Sequence, residues 1–134
     1  MKKILYIIFT VLLVTSCAPE FNAVYKSTDY EYKYEFAKQC YANGKYTQAS
    51  TLLGELITFF KGTDRAEESL YMYAMSLYKD ADFEAASDAF KRCYTSYPKG
   101  MYTESAYFYA AQSLYESSPE PRLDQTPTMA AIRA

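Results

Sequence analysis

Residues 67–98 have the sequence EESLYMYAMSLYKDADFEAASDAFKRCYTSYP. Apolar residues recur every three or four positions on each side of a turn at residues 80–82, and Pro98 closes the second half. This pattern predicts two amphipathic helices joined by a turn, with Ala74 and Ala86 as small residues where the two antiparallel helices would touch. One hairpin of this kind cannot bury both faces alone, so the pattern favours stacked copies of it.

The pattern recurs at an offset of 37 residues, which places Ala74 on Ala37 and on Ala111. A small residue in the first helix, an aromatic residue followed three positions later by alanine, and a closing proline together resemble the tetratricopeptide repeat (TPR). The resemblance implies an all-α solenoid of helical hairpins that stack as a right-handed superhelix. The period is longer than the usual ~34 residues, and the extra residues fit in the loop at 61–64.

The predicted repeat domain covers residues 28–134, and its three repeats are 28–60, 64–97 and an incomplete 103–134. A polar loop with two prolines, at residues 117–125, interrupts the third repeat, and Thr126-Pro127 would begin its second helix. A solenoid needs a terminal helix with a polar outer face. We therefore expect either that the sequence is a fragment of a longer protein or that a partner covers its open end.

Polar residues indicate where the predicted helices begin and end. Asn43-Gly44 suit a left-handed cap at the end of the first helix. The predicted N-terminal caps are the capping box at residues 28–31, Asp64 with Glu67, Asp82, and Thr103 or a neighbour.

The composition narrows the classes of function. Half of the residues are hydrophobic and only four are glycine, which favours packed helices. The net charge is -2 and no basic stripe exists, so nucleic acid is not an expected partner. The chain has no histidine and no glycine-rich phosphate loop, and its paired carboxylates lie at helix starts. We therefore expect no enzyme activity, no metal site and no cofactor. Cys40 and Cys93 are expected to be buried on apolar helix faces, and a disulfide in an oxidising envelope is the alternative.

The first residues form a separate segment. Lys2 and Lys3 precede an apolar run at residues 4–14, which is too short to span a bilayer as a mature helix. The sequence Val-Thr-Ser-Cys that follows resembles the lipobox of bacterial lipoproteins. The resemblance implies that residues 1–16 are a lipoprotein signal peptide and that Cys17 is lipidated, whereas an ordinary secretory leader is the alternative.

The segment after the lipobox shows no helical periodicity. We expect residues 17–27 to be the lipidated cysteine and a tether that leads to the repeat domain. Ala18, rather than aspartate, follows the cysteine. In some bacteria this goes with sorting to the outer membrane, so a lipid-anchored position there, on the periplasmic face, is expected.

Several motifs behind the lipobox occur in a characteristic order. They are STDYEYKYEFA at 27–37, GKYxxA at 44–49, FKGTDxAEESL at 60–70, YPKG at 97–100 and SPEPRLDQT at 118–126. Together they resemble the N-terminal half of the BamD family, the TPR lipoproteins of the outer-membrane β-barrel assembly machinery (BAM complex). The resemblance implies protein binding: unfolded β-barrel proteins as clients, and a BamA-like barrel subunit and other components of the machinery as partners. The family's C-terminal repeats, which contact BamA, have no counterpart here, so the sequence leaves that contact open.

Tyrosine is unusually frequent, with sixteen residues and no tryptophan. Within each predicted first helix two aromatic positions are seven residues apart and therefore share a face. We name this set the aromatic stripe, and its members are Tyr34, Tyr41, Tyr71, Tyr78, Phe108 and Tyr115. The stripe is predicted to line a concave groove that binds aromatic-rich client segments, because tyrosine combines a broad rigid ring with a polar tip. Packing between repeats is the alternative explanation.

Two further functions stay open at this point. A TPR envelope protein of another machine, such as the Tol–Pal periplasmic factor, has similar repeats but normally lacks a lipobox. A glycan-binding outer-membrane lipoprotein of the SusD kind is also TPR-based, but such proteins are several times longer.

Overall fold

The computed structural model describes residues 18–118 and 126–133, and all regular structure in these two ranges is helical. The helices are α1 (Ala18–Tyr25), α2 (Tyr30–Ala42), α3 (Tyr46–Phe59), α4 (Ala66–Lys79), α5 (Phe83–Ser96), α6 (Thr103–Glu116) and α7 (Thr126–Arg133). The all-α prediction is confirmed, and α7 begins where Thr126-Pro127 predicted a helix. Within the same ranges, none of the helices combines the length and the apolar character that crossing a membrane requires.

Each helix packs mainly against its neighbours in the chain. Helices α2 and α3, α4 and α5, and α6 and α7 form three consecutive hairpins, while α3 packs on α4 and α5 packs on α6. The hairpins therefore stack in chain order, as a TPR-like helical solenoid does. The right-handed sense of the superhelix stays a prediction.

Two clusters of buried side chains form the core. The first lies in the α2–α3 hairpin around Leu52, Leu53 and Leu56, and the second joins α4 and α5 to α6 around Phe90. Tyr41 packs against both clusters and so links the first hairpin to the second. The apolar surface removed from water in these clusters is the main source of stability for such a fold.

The small residues expected at helix contacts are buried. Ala74 and Ala86 both have no exposed surface. Cys40 and Cys93 are also buried and no disulfide joins them, so both lie in the core as small residues, as expected. Burial raises the pKa of the Cys93 thiol to about 11, and the negative charge of Glu67 adds to the effect.

The caps differ in part from the prediction. Asp82 accepts a hydrogen bond from the Ala85 amide, as expected. At α2 the cap is Asp29, which accepts from the Tyr32 amide at 3.0 Å, one residue after the predicted Thr28. The predicted cap at Asp64 is wrong, and the cap position before α6 belongs to Tyr102, the neighbour of Thr103. Helices α4 and α6 begin after Arg65 and Tyr102, and neither residue caps its helix through its side chain.

The start of α6 is held from the preceding hairpin instead. Glu67 accepts hydrogen bonds from the amides of Tyr102, at 2.7 Å, and Met101, at 3.2 Å. The Thr103 hydroxyl does not cap α6, because it donates a hydrogen bond to the Tyr97 carbonyl. A side chain at Gly100 would collide with the Glu67 carboxylate and would therefore displace it from the bonds to the Met101 and Tyr102 amides. Glu67 was expected to help cap its own helix, α4. It instead accepts bonds from amides at the start of α6 and so connects two repeats.

The segment expected to be a tether begins with helix α1. Val24 on this helix is buried in the first core cluster, and Phe21 packs against the same cluster. The buried Lys33 ammonium donates to the Tyr25 carbonyl at 2.9 Å and to Glu55 at 2.7 Å. Helix α1 is therefore fixed to the first hairpin, which corrects the prediction of a segment without helical structure. The predicted signal peptide at residues 1–16 and Cys17 lie outside the described residues, as do residues 119–125.

Candidate client-binding groove

The aromatic stripe is not uniformly exposed. Tyr34 is buried, with 2% of its surface exposed, and Tyr41, Tyr71 and Tyr78 are half-buried. Phe108 and Tyr115 are exposed, at 60% and 65%. The two stripe residues whose side chains are mostly accessible to a partner, Phe108 and Tyr115, therefore both lie on α6.

Tyr34 occupies a closed site between the first two hairpins. Its hydroxyl donates to Glu68 of α4 at 2.8 Å. The Lys38 ammonium lies 5.3 Å from its ring centroid, the Arg65 guanidinium lies 5.4 Å from it, and the Phe60 ring packs on its edge. Burial, followed by the hydrogen bond to the Glu68 carboxylate, raises the pKa of Tyr34 strongly. These contacts make Tyr34 part of the joint between hairpins and leave no free ring face.

Tyr71 repeats this arrangement 37 residues later. Its ring stacks on Tyr102, with centroids 4.6 Å apart. Tyr102 is the counterpart of Arg65, whose guanidinium lies over the Tyr34 ring. Burial raises the pKa of Tyr71, while a hydrogen bond with the Ser105 side chain opposes the shift. Ser105 is the counterpart of Glu68. This stripe position therefore serves packing between repeats in both joints, although Tyr71 keeps part of its surface exposed.

Tyr41 and Tyr78 form a second equivalent pair. Tyr41 meets the edge of Tyr46 at 5.7 Å, and Tyr78 meets the edge of Phe83 at 5.5 Å, so each ring packs on the first residue of the following helix. Burial raises the pKa of both phenols. Both rings remain half-buried and can present one side to a bound segment.

Phe108 and Tyr115 lie together at the α6–α7 end. With Ile132 of α7 they line a largely apolar cavity of about 330 Å³. Ile132 itself is 74% exposed, and Met129 of the same helix is 48% exposed. The structure therefore joins two predicted stripe residues to a helix that the sequence analysis did not assign to the site. We name this surface the α6–α7 surface.

Two aromatic residues near the stripe were not predicted. Tyr109 stacks on Phe90 at 5.5 Å and meets the edge of Tyr78 at 5.3 Å, and Tyr102 stacks on Tyr71. The 37-residue offset gives no signal for either, because it aligns Tyr109 with Met72 and Tyr102 with Arg65. Only the packed geometry brings them next to the stripe.

One protein family matches most of the chain. Residues 26–134 match YfiO, a family described as outer membrane lipoprotein. No curated protein matches the chain. The family match covers the three hairpins, and therefore the whole aromatic stripe.

Proposed function

The chain belongs to the YfiO family of outer membrane lipoproteins, and from this premise we propose that it is a non-enzymatic scaffold in the assembly of β-barrel proteins. In this proposal Cys17 carries the acyl chains, including palmitate, and holds the protein on the periplasmic face of the outer membrane. Several acyl chains anchor a protein stably, whereas one alone does not. The repeats then bind unfolded barrel chains and other components of the BAM complex, including a BamA-like subunit.

The observation that carries this proposal is the α6–α7 surface. Phe108, Tyr115 and Ile132 expose most of their side chains around one cavity, and scattered single apolar residues would not do so. A partly exposed tyrosine, Tyr78, lies on the preceding hairpin at the position equivalent to Tyr115. Such a surface suits client segments whose apolar and aromatic side chains alternate, because aromatic rings supply contact area without demanding one sequence.

Anchoring is tested by replacing the lipidation site. Cys17→Ala should leave uncleaved precursor or release soluble protein, and fractionation of the cell envelope measures this. Processed Cys17→Ala protein that still sediments with the outer membrane would contradict the anchor.

The role in assembly is tested by depletion in the native host. Loss of the protein should lower the amount of folded, heat-modifiable barrel proteins in the outer membrane while their unfolded forms accumulate. Complementation with the parent chain should restore assembly. Normal levels of folded barrel proteins after full depletion would contradict the proposal.

A further inference from the structure

Glu116, the last residue of α6, holds a carboxylate at the rim of the α6–α7 surface. Its Oε1 atom accepts a hydrogen bond from the Gln112 side-chain amide at 2.8 Å, and Gln112 lines the cavity together with Phe108 and Tyr115. Burial raises the pKa of Tyr78, and the negative charge of Glu116 adds to the effect. The carboxylate therefore lies near stripe residues of two successive hairpins.

The Glu116 carboxylate is exposed and has no cationic partner. Within the part of the chain that the structure describes, Glu116 forms no ion pair. Arg133, the cation of α7, lines a separate cavity with Lys91. The bond from Gln112 occupies one carboxylate oxygen and leaves the other as an acceptor. A group that binds at this rim should therefore donate hydrogen bonds and carry a positive charge.

The local stability of α6 does not explain a carboxylate at this position. The C-terminal end of a helix carries a partial negative charge, so a cation there is stabilising and an anion is destabilising. The equivalent last residue of α4 is the cation Lys79, whereas the last turn of α6 has no basic residue. The intrahelical bond from Gln112 offsets only part of this cost. A role in binding accounts for the charge of Glu116 where helix stability does not.

The first joint between hairpins shows how this fold combines aromatic rings, a carboxylate and a cation. The Arg65 guanidinium lies over the rings of Tyr34 and Phe60, at 5.4 Å and 5.6 Å from their centroids, and it pairs with Glu31. A planar guanidinium can stack on a ring and bind a carboxylate at the same time. Among the described residues, no cation lies over the exposed Tyr115 ring.

We propose that the α6–α7 surface selects client segments that carry an arginine two residues away from an aromatic or large apolar side chain. This inference rests on the proposed binding of clients at that surface. The apolar side chain enters the cavity between Phe108 and Ile132, while the arginine lies over the Tyr115 ring and pairs with Glu116. Residues i and i+2 of an extended segment point to the same side, so one segment reaches both places.

The test is a double-mutant cycle on the mature protein purified from the cell envelope in detergent. Two labelled peptides from the C-terminus of a β-barrel protein differ only at one position, two residues away from a phenylalanine. This position holds arginine in one peptide and citrulline, its uncharged isostere, in the other. By fluorescence anisotropy, the parent chain should bind the arginine peptide roughly fivefold more tightly. Glu116→Gln should reduce this preference to less than about twofold.

The matched control is Glu20→Gln. It removes an exposed glutamate from α1, which packs on α2 at the opposite end of the stacked hairpins. The control should keep the preference for arginine. An equal loss of preference in both variants would show a general effect of charge and overturn the inference, and so would an unchanged preference in Glu116→Gln.

A charge exchange tests the same pair in the opposite direction. Glu116→Arg should bind a peptide with glutamate at the variable position more tightly than the arginine peptide. Because a cation at the end of α6 is favourable for the helix, this variant should unfold at or above the temperature of the parent. A preference for arginine that persists in Glu116→Arg would contradict the pairing.

Failure of this inference can be told apart from failure of the proposed function. If the parent binds both peptides equally and loses both on Phe108→Ala with Tyr115→Ala, the preference for arginine is overturned while the client surface stands. If the parent binds neither peptide, the client surface is refuted and this inference with it.

Discussion

Tyr34 and Lys33 are neighbours in the sequence, and the side chain of each connects helices through hydrogen bonds. Tyr34 connects α2 to α4 through Glu68, and Lys33 connects α1 to α3 through the Tyr25 carbonyl and Glu55. Both residues are 2–3% exposed. A polar group buried to this extent is costly unless it is hydrogen-bonded, so these bonds define how adjacent helices pack.

Replacement of Lys33 should destabilise the fold and release α1. Lys33→Met removes a buried ammonium from Glu55, whose side chain is 41% exposed, and leaves the Tyr25 carbonyl without its donor. The expected cost is about 1.5–3 kcal/mol in the free energy of unfolding, because water can solvate the Glu55 carboxylate but the lost bonds to a charged donor are not replaced. Lys38→Met removes a solvent-exposed pair with Glu35 and should cost at most about 1 kcal/mol. Urea denaturation measures both, and equal costs would show that the Lys33 contacts do not stabilise the protein.

The Cys93 thiol should make stability depend on pH in the alkaline range. Its folded pKa is about 11 against an ordinary value of 9.0, so the folded state holds the proton more tightly than the unfolded state. The contribution is complete below pH 9 and is lost as the pH rises through 11. Cys93→Ala should therefore lose less stability than the parent between about pH 9 and 11. Parallel urea-denaturation curves against pH for the two chains would contradict this.

At the scale of helices and turns, the 37-residue recurrence was sufficient to predict the hairpins. It repeats the contact residues of α2 and α3 in α4 and α5, and it also aligns the turns. Gly44, predicted as a left-handed cap, has φ +73°, and its counterpart in the next turn, Ala81, has φ +62°. The same backbone conformation is therefore used with and without glycine.

Ala81 offers a stabilising substitution. A non-glycine residue in the left-handed region costs roughly 1–2 kcal/mol in its folded conformation. Ala81→Gly removes that cost but makes the unfolded chain more flexible, so a net gain of about 0.5–1 kcal/mol is expected. Gly44→Ala is the matched reverse change and should lose about as much. Thermal unfolding compares the two, and a loss of stability in Ala81→Gly would show that the turn is not strained.

Helix α1 and the capping of α6 could not be predicted from local pattern. A helix of eight residues is not stable alone in water, so α1 depends on tertiary contacts of Val24 and Lys33 that no periodicity records. The start of α6 depends on Glu67, 35 residues away from Tyr102 in the sequence. A capping motif is recognised from residues within a few positions of the helix start, so it cannot reveal a partner this distant in the sequence.

At the scale of the whole molecule, the sequence predicted which residues form the aromatic stripe but not which of them are exposed. The seven-residue spacing places its members on one helix face. However, the following hairpin covers that face at Tyr34 and partly covers it at Tyr71. Phe108 lies on the last hairpin that the structure describes, and there the same face is exposed. Exposure therefore increases towards the α6–α7 surface. The structure therefore shows packing between repeats at Tyr34 and Tyr71, and binding at the exposed members Phe108 and Tyr115 stays our proposal.

The central claim is that the α6–α7 surface binds client segments, and fluorescence anisotropy with a labelled peptide from the C-terminus of an outer-membrane β-barrel protein measures it directly. Truncation of a central interface aromatic typically costs over ~1 kcal/mol, and for some residues more than ~2. We predict that Phe108→Ala with Tyr115→Ala weakens peptide binding at least tenfold. The matched control, Tyr32→Ala, removes an exposed tyrosine outside the stripe and should leave binding unchanged. Parent-like affinity in the double variant, with helical content retained by circular dichroism, would contradict the account.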